Sequence, residues 1–269
     1  MDDLLREKQE IWLKMLFYSF ALKEGEVKDR FYDFSEILFR HLKWIAKECK
    51  RRGIEYDFDK GPINIQKSRA FEIYEDLIED LKGLVSGYEN TPLFERIKED
   101  EKYMIFSIQN LLRDESGDYN IGAFNRKKIY KDKKLSKTST DALILFLFEE
   151  TYKEYELIMV YTYMQNFTTS IDEFEVYQDL VDESYFHLKS FGNMLSKMGI
   201  LAIPHNIEKS IYKVTDITKF LQDGIKEEEA AKEECIRLAK AVEDEELGKF
   251  FEFINFQESY HIELMKKLL

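Results

Sequence analysis

The spacing of apolar residues constrains the fold of this chain more than any other feature of its sequence. Apolar residues recur at steps of three and four over eight long stretches, which is the pattern of amphipathic helices. Four of these stretches follow a residue that commonly caps a helix N-terminus: Thr91, Thr140, Ser170 and Thr215. We predict helices at roughly 3–23, 27–51, 66–87, 92–113, 141–167, 171–198, 216–242 and 244–268. The chain is therefore expected to be all-α.

The composition argues against several other classes of protein. With 3 Pro and 11 Gly in 269 residues, the chain has too few turn residues for an all-β fold. Its formal net charge of −13 argues against nucleic-acid binding, which depends on an excess of Lys and Arg. The longest apolar run, 142–148, is too short to span a membrane, and the acidic start MDDLLRE does not resemble a signal peptide. Two cysteines make neither a disulfide framework nor a CxxC motif. We therefore expect a cytoplasmic protein with no membrane partner.

A polar segment at 114–140 separates two sets of four predicted helices. Its seven basic residues are Arg126, Lys127, Lys128, Lys131, Lys133, Lys134 and Lys137. We interpret it as a solvated basic linker between domains at 1–113 and 141–269, with a basic docking segment as the alternative. Residues 141–269 contain 13 Lys+Arg and 26 Asp+Glu, whereas the first 140 residues contain 27 of each. The net negative charge therefore belongs to the second half.

The two sets of helices also resemble each other in sequence. A shift of 157 residues aligns 94–112 with 251–269, with eight of nineteen positions identical. A shift of 146 aligns 41–43 with 187–189, and it aligns the Gly-Ile pair at 53–54 with the one at 199–200. Because the two shifts differ by 11, we expect a longer connection between the second and third helices of the second half. The sequence thus predicts an internal duplication of a four-helix unit.

Six polar residues interrupt the apolar helix faces of the second half: Glu150, Glu183, His187, Glu228, Glu258 and His261. The Glu-x-x-x-His and Glu-x-x-His spacings put each Glu/His pair on one helix face. Four buried carboxylates repel one another, and no Lys or Arg lies on these inward faces. Two divalent cations would balance the four charges, with the imidazoles completing the ligand shell. We therefore predict a dinuclear metal site, although each residue taken alone is compatible with ordinary core packing.

One Glu from each of two helices, plus a Glu/His pair from each of the other two, is the ligand set of carboxylate-bridged dimetal bundles. With its residues in this order, the second half resembles the ferritin-like superfamily, closest in style to rubrerythrin and bacterioferritin. The resemblance covers 141–269 well and the first half weakly. It implies a four-helix bundle that binds two iron ions, with manganese or a mixed iron–manganese pair as alternatives.

Departures from the family pattern leave parts of this ligand set open. The extra residue between Glu183 and His187 is compatible with a π-bulge or with Asp182 as the ligand. A small rotation of the third helix would replace Glu228 by Glu227. The family's rubredoxin cysteines are missing, so electrons would come from an external donor. Three tyrosines near ligands in sequence are candidates for hydrogen-bonding or redox-active neighbours, with simple packing as the alternative: Tyr152, Tyr185 and Tyr260.

The first half keeps only part of the pattern. A shift of 143 aligns Glu7 with Glu150, while His41 aligns with His187 and Glu101 with Glu258. Apolar residues stand at the other three positions: Ile37, Phe71 and Met104. We therefore expect a degenerate ferritin-like bundle at 1–113 with a structural role. The alternative is a residual mononuclear site at Glu7, His41 and Glu101, with Glu36 assisting.

The resemblance also implies a function. Carboxylate-rich dimetal centres with open coordination positions bind O₂ or peroxide between the metals. We therefore expect an oxidoreductase that reduces peroxide or O₂ with electrons from a separate partner. A ferroxidase or iron-handling protein is the nearest alternative, and a metal-free helical interaction protein whose glutamates line a polar groove is another. Assembly into a homo-oligomer stays open.

Overall fold

A computed structural model describes residues 1–58, 61, 63–131 and 133–269. These residues form nine α-helices and no β-strand, which confirms the predicted all-α class. None of the described helices has both the length and the apolar character required to cross a membrane. The helices are α1 (Asp2–Ala21), α2 (Glu26–Arg51), α3 (Ala70–Gly87), α4 (Pro92–Leu111), α5 (Lys137–Phe167), α6 (Ile171–Lys197), α7 (Lys209–Tyr212), α8 (Ile217–Ala241) and α9 (Glu245–Lys267).

Side-chain caps determine where several helices begin. Thr91 and Ser170 cap α4 and α6 as predicted, each accepting a hydrogen bond from a backbone N–H in the first turn. The predicted caps Thr140 and Thr215 are wrong. Ser136 caps α5 and Asp216 caps α8, so α5 starts four residues earlier than expected.

The chain divides into two compact units, Met1–Phe124 (unit 1) and Asn125–Leu269 (unit 2). The boundary falls inside the segment predicted to be a linker. Its first part belongs to unit 1, where the Ala70 N–H donates to the Tyr119 carbonyl at 2.9 Å. Its later part belongs to unit 2, where the Arg126 N–H donates to the Gly199 carbonyl at 2.9 Å. The two units therefore divide the segment between them, while most of its described residues are exposed.

The helices of each unit pair in the same pattern. In unit 2, α5 packs on α6, α8 packs on α9, and α6–α9 and α5–α8 contacts close the bundle. In unit 1, α1 packs on α2, α3 on α4 and α1 on α3. Side chains join α2 to α4, as in Phe34 and Tyr103, whose ring centroids are 6.2 Å apart. This pattern agrees with a duplication, which stays a prediction because four-helix bundles in general pair their helices in this way.

The second helix of each unit ends in the same capping motif. Gly53 after α2 has φ 68° and Gly199 after α6 has φ 80°, a left-handed conformation that glycine adopts without strain. The next residue then donates its N–H back to the helix, from Ile54 to the Cys49 carbonyl at 2.9 Å and from Ile200 to the Leu195 carbonyl at 3.0 Å. These bonds are those of a Schellman motif, which satisfies the last carbonyls and ends the helix.

The helix bounds favour a different alignment of the first helices from the one predicted. Helices α1 and α5 end at Ala21 and Phe167, a shift of 146 residues, and this shift also relates α2 to α6. It pairs Lys8 with Glu154 and leaves Glu7 opposite Lys153. The predicted pairing of Glu7 with Glu150 needs a three-residue offset that the helix ends do not show.

The extra residues expected in the connection between the second and third helices of the second half lie elsewhere in the structure. The connections 52–69 and 198–216 have 18 and 19 residues, so their lengths are nearly equal. Helix α8 has 25 residues, whereas α3 has 18. The shift of 157 would place the start of α8 at residue 227, but the helix begins at Ile217. The extra residues therefore lie in the first part of α8, 217–226, which has no counterpart in α3.

Candidate metal centre

The predicted site residues of unit 2 lie in a polar layer beside an apolar core. Core side chains from all four long helices include Leu147, Phe191, Leu238 and Phe251. Next to this core, the same helices place five charged or titratable side chains at no more than 3% exposure: Glu154, His187, Glu228, Glu258 and His261. On the far side of the layer the buried residues include the apolar Ile158, Leu180 and Leu221 and the polar Thr162 and Gln165. The layer is therefore buried next to an apolar core.

His187 joins three helices through its two ring nitrogens. Nδ1 lies 2.8 Å from Glu154 Oε1 on α5 and 3.6 Å from Glu258 Oε1 on α9. Nε2 lies 3.2 Å from Gln257 Oε1. Although burial opposes protonation, Glu154 and Glu258 raise the pKa of His187 above its usual value.

His261 completes a compact group with His187 and Glu258. Its Nδ1 lies 2.9 Å from Glu258 Oε2, and the centroids of the two imidazole rings are 5.3 Å apart. All three residues are buried, and one potential ligand atom from each lies within 4.8 Å of the others. This group is a buried His/Glu triad with the composition of a transition-metal site.

Four potential metal-ligand atoms in and beside this layer have no hydrogen bond within the described part of the chain: Glu154 Oε2, Glu183 Oε2, Glu258 Oε2 and His261 Nε2. Glu183 Oε2 and His261 Nε2 are 3.1 Å apart, but their geometry is not that of a hydrogen bond. Glu258 Oε2 likewise lies 2.9 Å from His261 Nδ1 without the geometry of a hydrogen bond. Buried oxygen and nitrogen atoms without hydrogen bonds are costly, and a cation bound among them would relieve that cost. The donor set therefore fits a metal ion.

Glu154 belongs to this layer but was not among the predicted ligands. It is 2% exposed, whereas the predicted Glu150 on the same helix is partly exposed. The inward positions of α5 advance in steps of four and three from Leu143 through Leu147 and Glu150, and the next step is residue 154. Continuing that ladder would have identified Glu154 from the sequence.

The expectation that no basic side chain would compensate the carboxylates is wrong. Lys153 lies off the inward face of α5, but its long side chain brings Nζ to 3.7 Å from Glu228 Oε1. Burial lowers the pKa of Lys153, yet Glu228, Glu150 and Glu154 outweigh this effect and raise it, so the ammonium stays charged. The layer therefore contains one positive charge of its own.

The carboxylates of the layer differ in how readily they ionise. Burial, aided by Glu258, raises the pKa of Glu228 well above its ordinary value. Burial also raises the pKa of Glu150 to about 7, despite the attraction of Lys153. Burial alone would raise the pKa of Glu258, but its contacts with His261 and Glu228 lower it to about 2. Without metal, the layer therefore retains protons that a divalent cation would displace.

The alternatives left open by the sequence are placed as follows. Asp182 is exposed and accepts a hydrogen bond from Gln178 at 2.7 Å, whereas Glu183 reaches the edge of the layer beside His261. Glu227 is exposed and Glu228 is buried. Helix α6 is a regular α-helix throughout and has no π-bulge. Glu183 consequently pairs with His261, while His187 contacts Glu154.

The three candidate tyrosines differ in environment. Tyr185 is buried, whereas 42% of Tyr260 is exposed. Tyr152 is half-buried and packs edge-on against His205, with centroids 5.2 Å apart. A fourth tyrosine, Tyr161, was not predicted: it is 1% exposed, and its hydroxyl has no hydrogen-bond partner among the described residues. Burial, with the nearby Glu228, Glu154 and Glu258, raises the pKa of Tyr161 far above its usual value.

Unit 1 contains a related buried cluster in which a lysine supplies the cation. Lys8 forms an ion pair with Glu101, and both side chains are fully buried. The Tyr88 hydroxyl donates to both oxygens of Glu101 at 3.0 Å. Lys8 of α1 aligns with Glu154 of α5 by the shift of 146. Unit 1 therefore has an ammonium group where unit 2 has a carboxylate.

His41 and Glu101, two of the three predicted vestigial residues, do meet in this cluster. His41 Nδ1 lies 3.4 Å from Glu101 Oε1, and its Nε2 lies 3.0 Å from Asp100 Oδ2. Glu7 and the assisting residue Glu36 are exposed, so neither joins them. The contacts of His41 repeat those of His187 with Glu258 and Gln257, the residues aligned with Glu101 and Asp100 by the shift of 157.

Comparisons of this chain with protein-family models, with curated proteins and with solved structures found no match.

Proposed function

We propose that unit 2 is a metalloprotein whose polar layer binds two divalent transition-metal ions, iron in the first instance, and that this centre reduces peroxide or O₂. The observation that carries the proposal is the buried triad of His187, Glu258 and His261, with ligand atoms within 4.8 Å of one another. Iron and manganese accept mixed imidazole and carboxylate ligands. Calcium and magnesium prefer sites in which all ligands are oxygen atoms.

The charges of the layer support two ions. Its carboxylates come from the buried Glu154, Glu228 and Glu258 and from the partly exposed Glu150 and Glu183 at its edge, and Lys153 is the ammonium beside them. Five negative charges and one positive charge leave four negative charges when the imidazoles are neutral. Two divalent cations carry the matching four positive charges.

When bound, the two ions would supply the electrons that reduce an O–O bond, and an external donor would restore them. The chain's own residues have distinct tasks in this proposal. Gln257 accepts the Nε2–H of His187 and so leaves Nδ1 facing Glu154 and Glu258 as the ligand atom. Lys153 keeps a positive charge beside Glu228, where it stabilises anionic oxygen and holds a proton.

The metal-free interaction protein has one observation in its favour. Lys153 lies beside one carboxylate in unit 2, and the Lys8–Glu101 pair shows that a lysine can balance the charge of a buried glutamate in this chain without a metal ion. In unit 2, however, one ammonium faces five carboxyl groups, so without metal the remaining charge has to be balanced by protons on the carboxyl groups and imidazoles. The ferroxidase alternative shares the metal centre and differs in its product, so kinetics must separate the two.

Elemental analysis tests the proposal directly. The native protein, or metal-free protein reconstituted with Fe²⁺ under anaerobic conditions, should contain close to two metal ions per chain. Glu258→Ala and His261→Ala should lose them, whereas Glu101→Gln, a change at the aligned position of unit 1, should keep them. Protein that remains metal-free after reconstitution would overturn the proposal.

The oxidant distinguishes the two metal-based functions. Peroxide that oxidises the reduced centre faster than O₂ favours a peroxidase. Oxidation by O₂ that is faster, with release of Fe³⁺ from the chain, favours the ferroxidase. Both reactions are followed by stopped-flow absorbance in the near ultraviolet.

A further inference from the structure

A cleft of about 290 Å³ opens on unit 2 and has Glu228 among its lining residues. Leu157 of α5 lines one side, Val214 in the segment after α7 lines another, and Phe220 and Gly224 of α8 line a third. Glu228 is only 2% exposed, so the cleft brings a solvent-connected space to a carboxylate of the buried polar layer. The cleft therefore reaches one residue of the proposed metal centre, and Glu154, His187, Glu258 and His261 are not among its lining residues.

Part of the cleft is formed by a segment of unit 2 that has no counterpart in unit 1. Four of its lining residues belong to 217–226, the first part of α8 that extends beyond the counterpart of α3: Lys219, Phe220, Asp223 and Gly224. In unit 1, the buried Glu101 is paired with Lys8 and requires no ion from solvent. The extension thus occurs in the unit whose carboxylates have an excess of negative charge.

The charged side chains along the cleft are mostly acidic. Besides Glu228, the lining includes Asp216, Asp223 and Glu227, against a single cation, Lys219. Within its helix, Asp223 also forms an ion pair with Lys226 at 2.8 Å. A surface of this charge attracts cations and repels anions, and the effect is strongest at low ionic strength.

We infer that this cleft is the route by which divalent cations enter the polar layer, with Glu227 as the carboxylate that attracts them next to Glu228. The inference rests on the proposed metal centre. Neutral peroxide or O₂ gains nothing from an acidic rim, whereas a hydrated divalent cation is concentrated there and then exchanges water for carboxylate oxygen. Glu227, which the sequence offered as an alternative ligand, acts here as a residue of the route.

The rate of Co²⁺ binding to metal-free protein tests this inference, because Co²⁺ bound by imidazole and carboxylate absorbs in the visible range. At low ionic strength, Glu227→Lys should slow association roughly tenfold. Its final absorbance and stoichiometry should match those of the wild type, and high salt should remove most of the difference. Glu252→Lys is the matched control, since Glu252 is an exposed helical glutamate that does not line the cleft.

A second variant narrows the cleft without a change of charge. Thr215 is an exposed, uncharged residue that lines the cleft, so Thr215→Trp should narrow the cleft without disturbing the core. It should slow Co²⁺ binding equally at low and high salt, and circular dichroism checks its fold.

The outcomes separate the two claims. If wild-type protein binds no Co²⁺, the metal centre itself is overturned. If it binds Co²⁺ and both cleft variants load at the wild-type rate, the metal centre stands and the route is overturned. If Glu227→Lys loses bound metal at equilibrium, Glu227 is a ligand and the inference is likewise overturned.

Discussion

His187 and Gln257 form a side-chain contact between α6 and α9, with 3.2 Å between Nε2 and Oε1. The contact lies on the side of the ring opposite Glu154, which approaches Nδ1 to 2.8 Å. Unit 1 repeats it with His41 and Asp100, 3.0 Å apart. An oxygen acceptor thus occupies the same place beside the buried histidine in both units. In unit 2, a proton on Nε2 shared with Gln257 would leave the lone pair of Nδ1 on the side of Glu154 and Glu258.

Removing this acceptor should weaken metal binding. We expect Gln257→Leu to lower the affinity for Co²⁺ by roughly 10- to 100-fold, as is typical when a ligand histidine loses its hydrogen-bond partner. Gln257→Glu keeps an oxygen acceptor and should stay within about threefold of the wild type. Competition titration with a chelator measures both variants, and Gln222→Leu, on the exposed face of α8, is the control. Equal affinities for the wild type and Gln257→Leu would contradict the role of this contact.

Glu154 should be a metal ligand, whereas the exposed Glu149 of the same helix should not be one. Glu154→Gln preserves the shape of the side chain and removes its charge, so metal affinity should fall at least tenfold, which is about 1.4 kcal/mol. Glu149→Gln is the matched control, because Glu149 is an exposed glutamate of the same helix. Isothermal titration of metal-free protein gives both affinity and stoichiometry. An unchanged affinity for Glu154→Gln would leave the carboxylate as a structural partner of His187 only.

The protonation of Glu150 should make the stability of the metal-free protein depend on pH. Its pKa in the folded protein is about 7, above the ordinary value of 4.5, because burial disfavours the charged carboxylate. The stabilising contribution of the proton is thus fully present below pH 4.5 and is lost as the pH rises through 7. Glu150→Gln should therefore unfold with a larger free energy than the wild type at pH 8, by about 2 kcal/mol once partial solvent access is allowed for.

Urea unfolding in the presence of a chelator measures this difference. Near pH 3.5 the two proteins should have nearly equal free energies of unfolding, because Glu150 is then protonated in most folded and most unfolded molecules. A difference that is the same at both pH values would mean that the substitution acts through packing and not through the proton.

The Lys8–Glu101 pair should be essential to unit 1. Lys8→Met leaves a buried carboxylate without its cation, and we expect the free energy of unfolding to fall by roughly 3–5 kcal/mol. Adding Glu101→Gln should restore much of that loss, since the uncompensated charge is then gone. Lys102→Met breaks only the exposed pair with Glu99 and should cost less than about 1 kcal/mol.

Chemical denaturation monitored by circular dichroism measures all three variants. If Lys8→Met and the double variant are equally destabilised, the loss comes from packing around Lys8 rather than from the unpaired charge of Glu101.

Much of the helical architecture could be predicted from the chain alone. The periodic apolar residues located the eight long helices to within a few residues, because burial of one helix face imposes a spacing of three and four on the sequence. The residue types that cap helices predicted the helix starts less well. Thr140 and Thr215 are capping residues by type, but Ser136 and Asp216 have the geometry to accept the first-turn N–H groups.

The candidate site was partly predictable for the same reason. His187, Glu228, Glu258 and His261 lie on inward faces, and the structure brings them into one layer. The four- and three-residue steps of α5 also predict Glu154 as an inward residue, although it was not among the predicted ligands. The contact of Lys153 with Glu228 could not be predicted from periodicity, because the long lysine side chain reaches a neighbouring helix from a position that is not itself inward.

The sequence by itself determined which helix faces are buried and that carboxylates and imidazoles interrupt them, because burial periodicity is a property of each helix alone. Only the tertiary structure decided which of these groups meet. It pairs His187 with Glu154 instead of Glu183, brings Lys153 to Glu228, and places Lys8 against Glu101. These partners depend on the rotation and stagger of helices that are distant in the chain, and a shift of one helix turn would exchange them all.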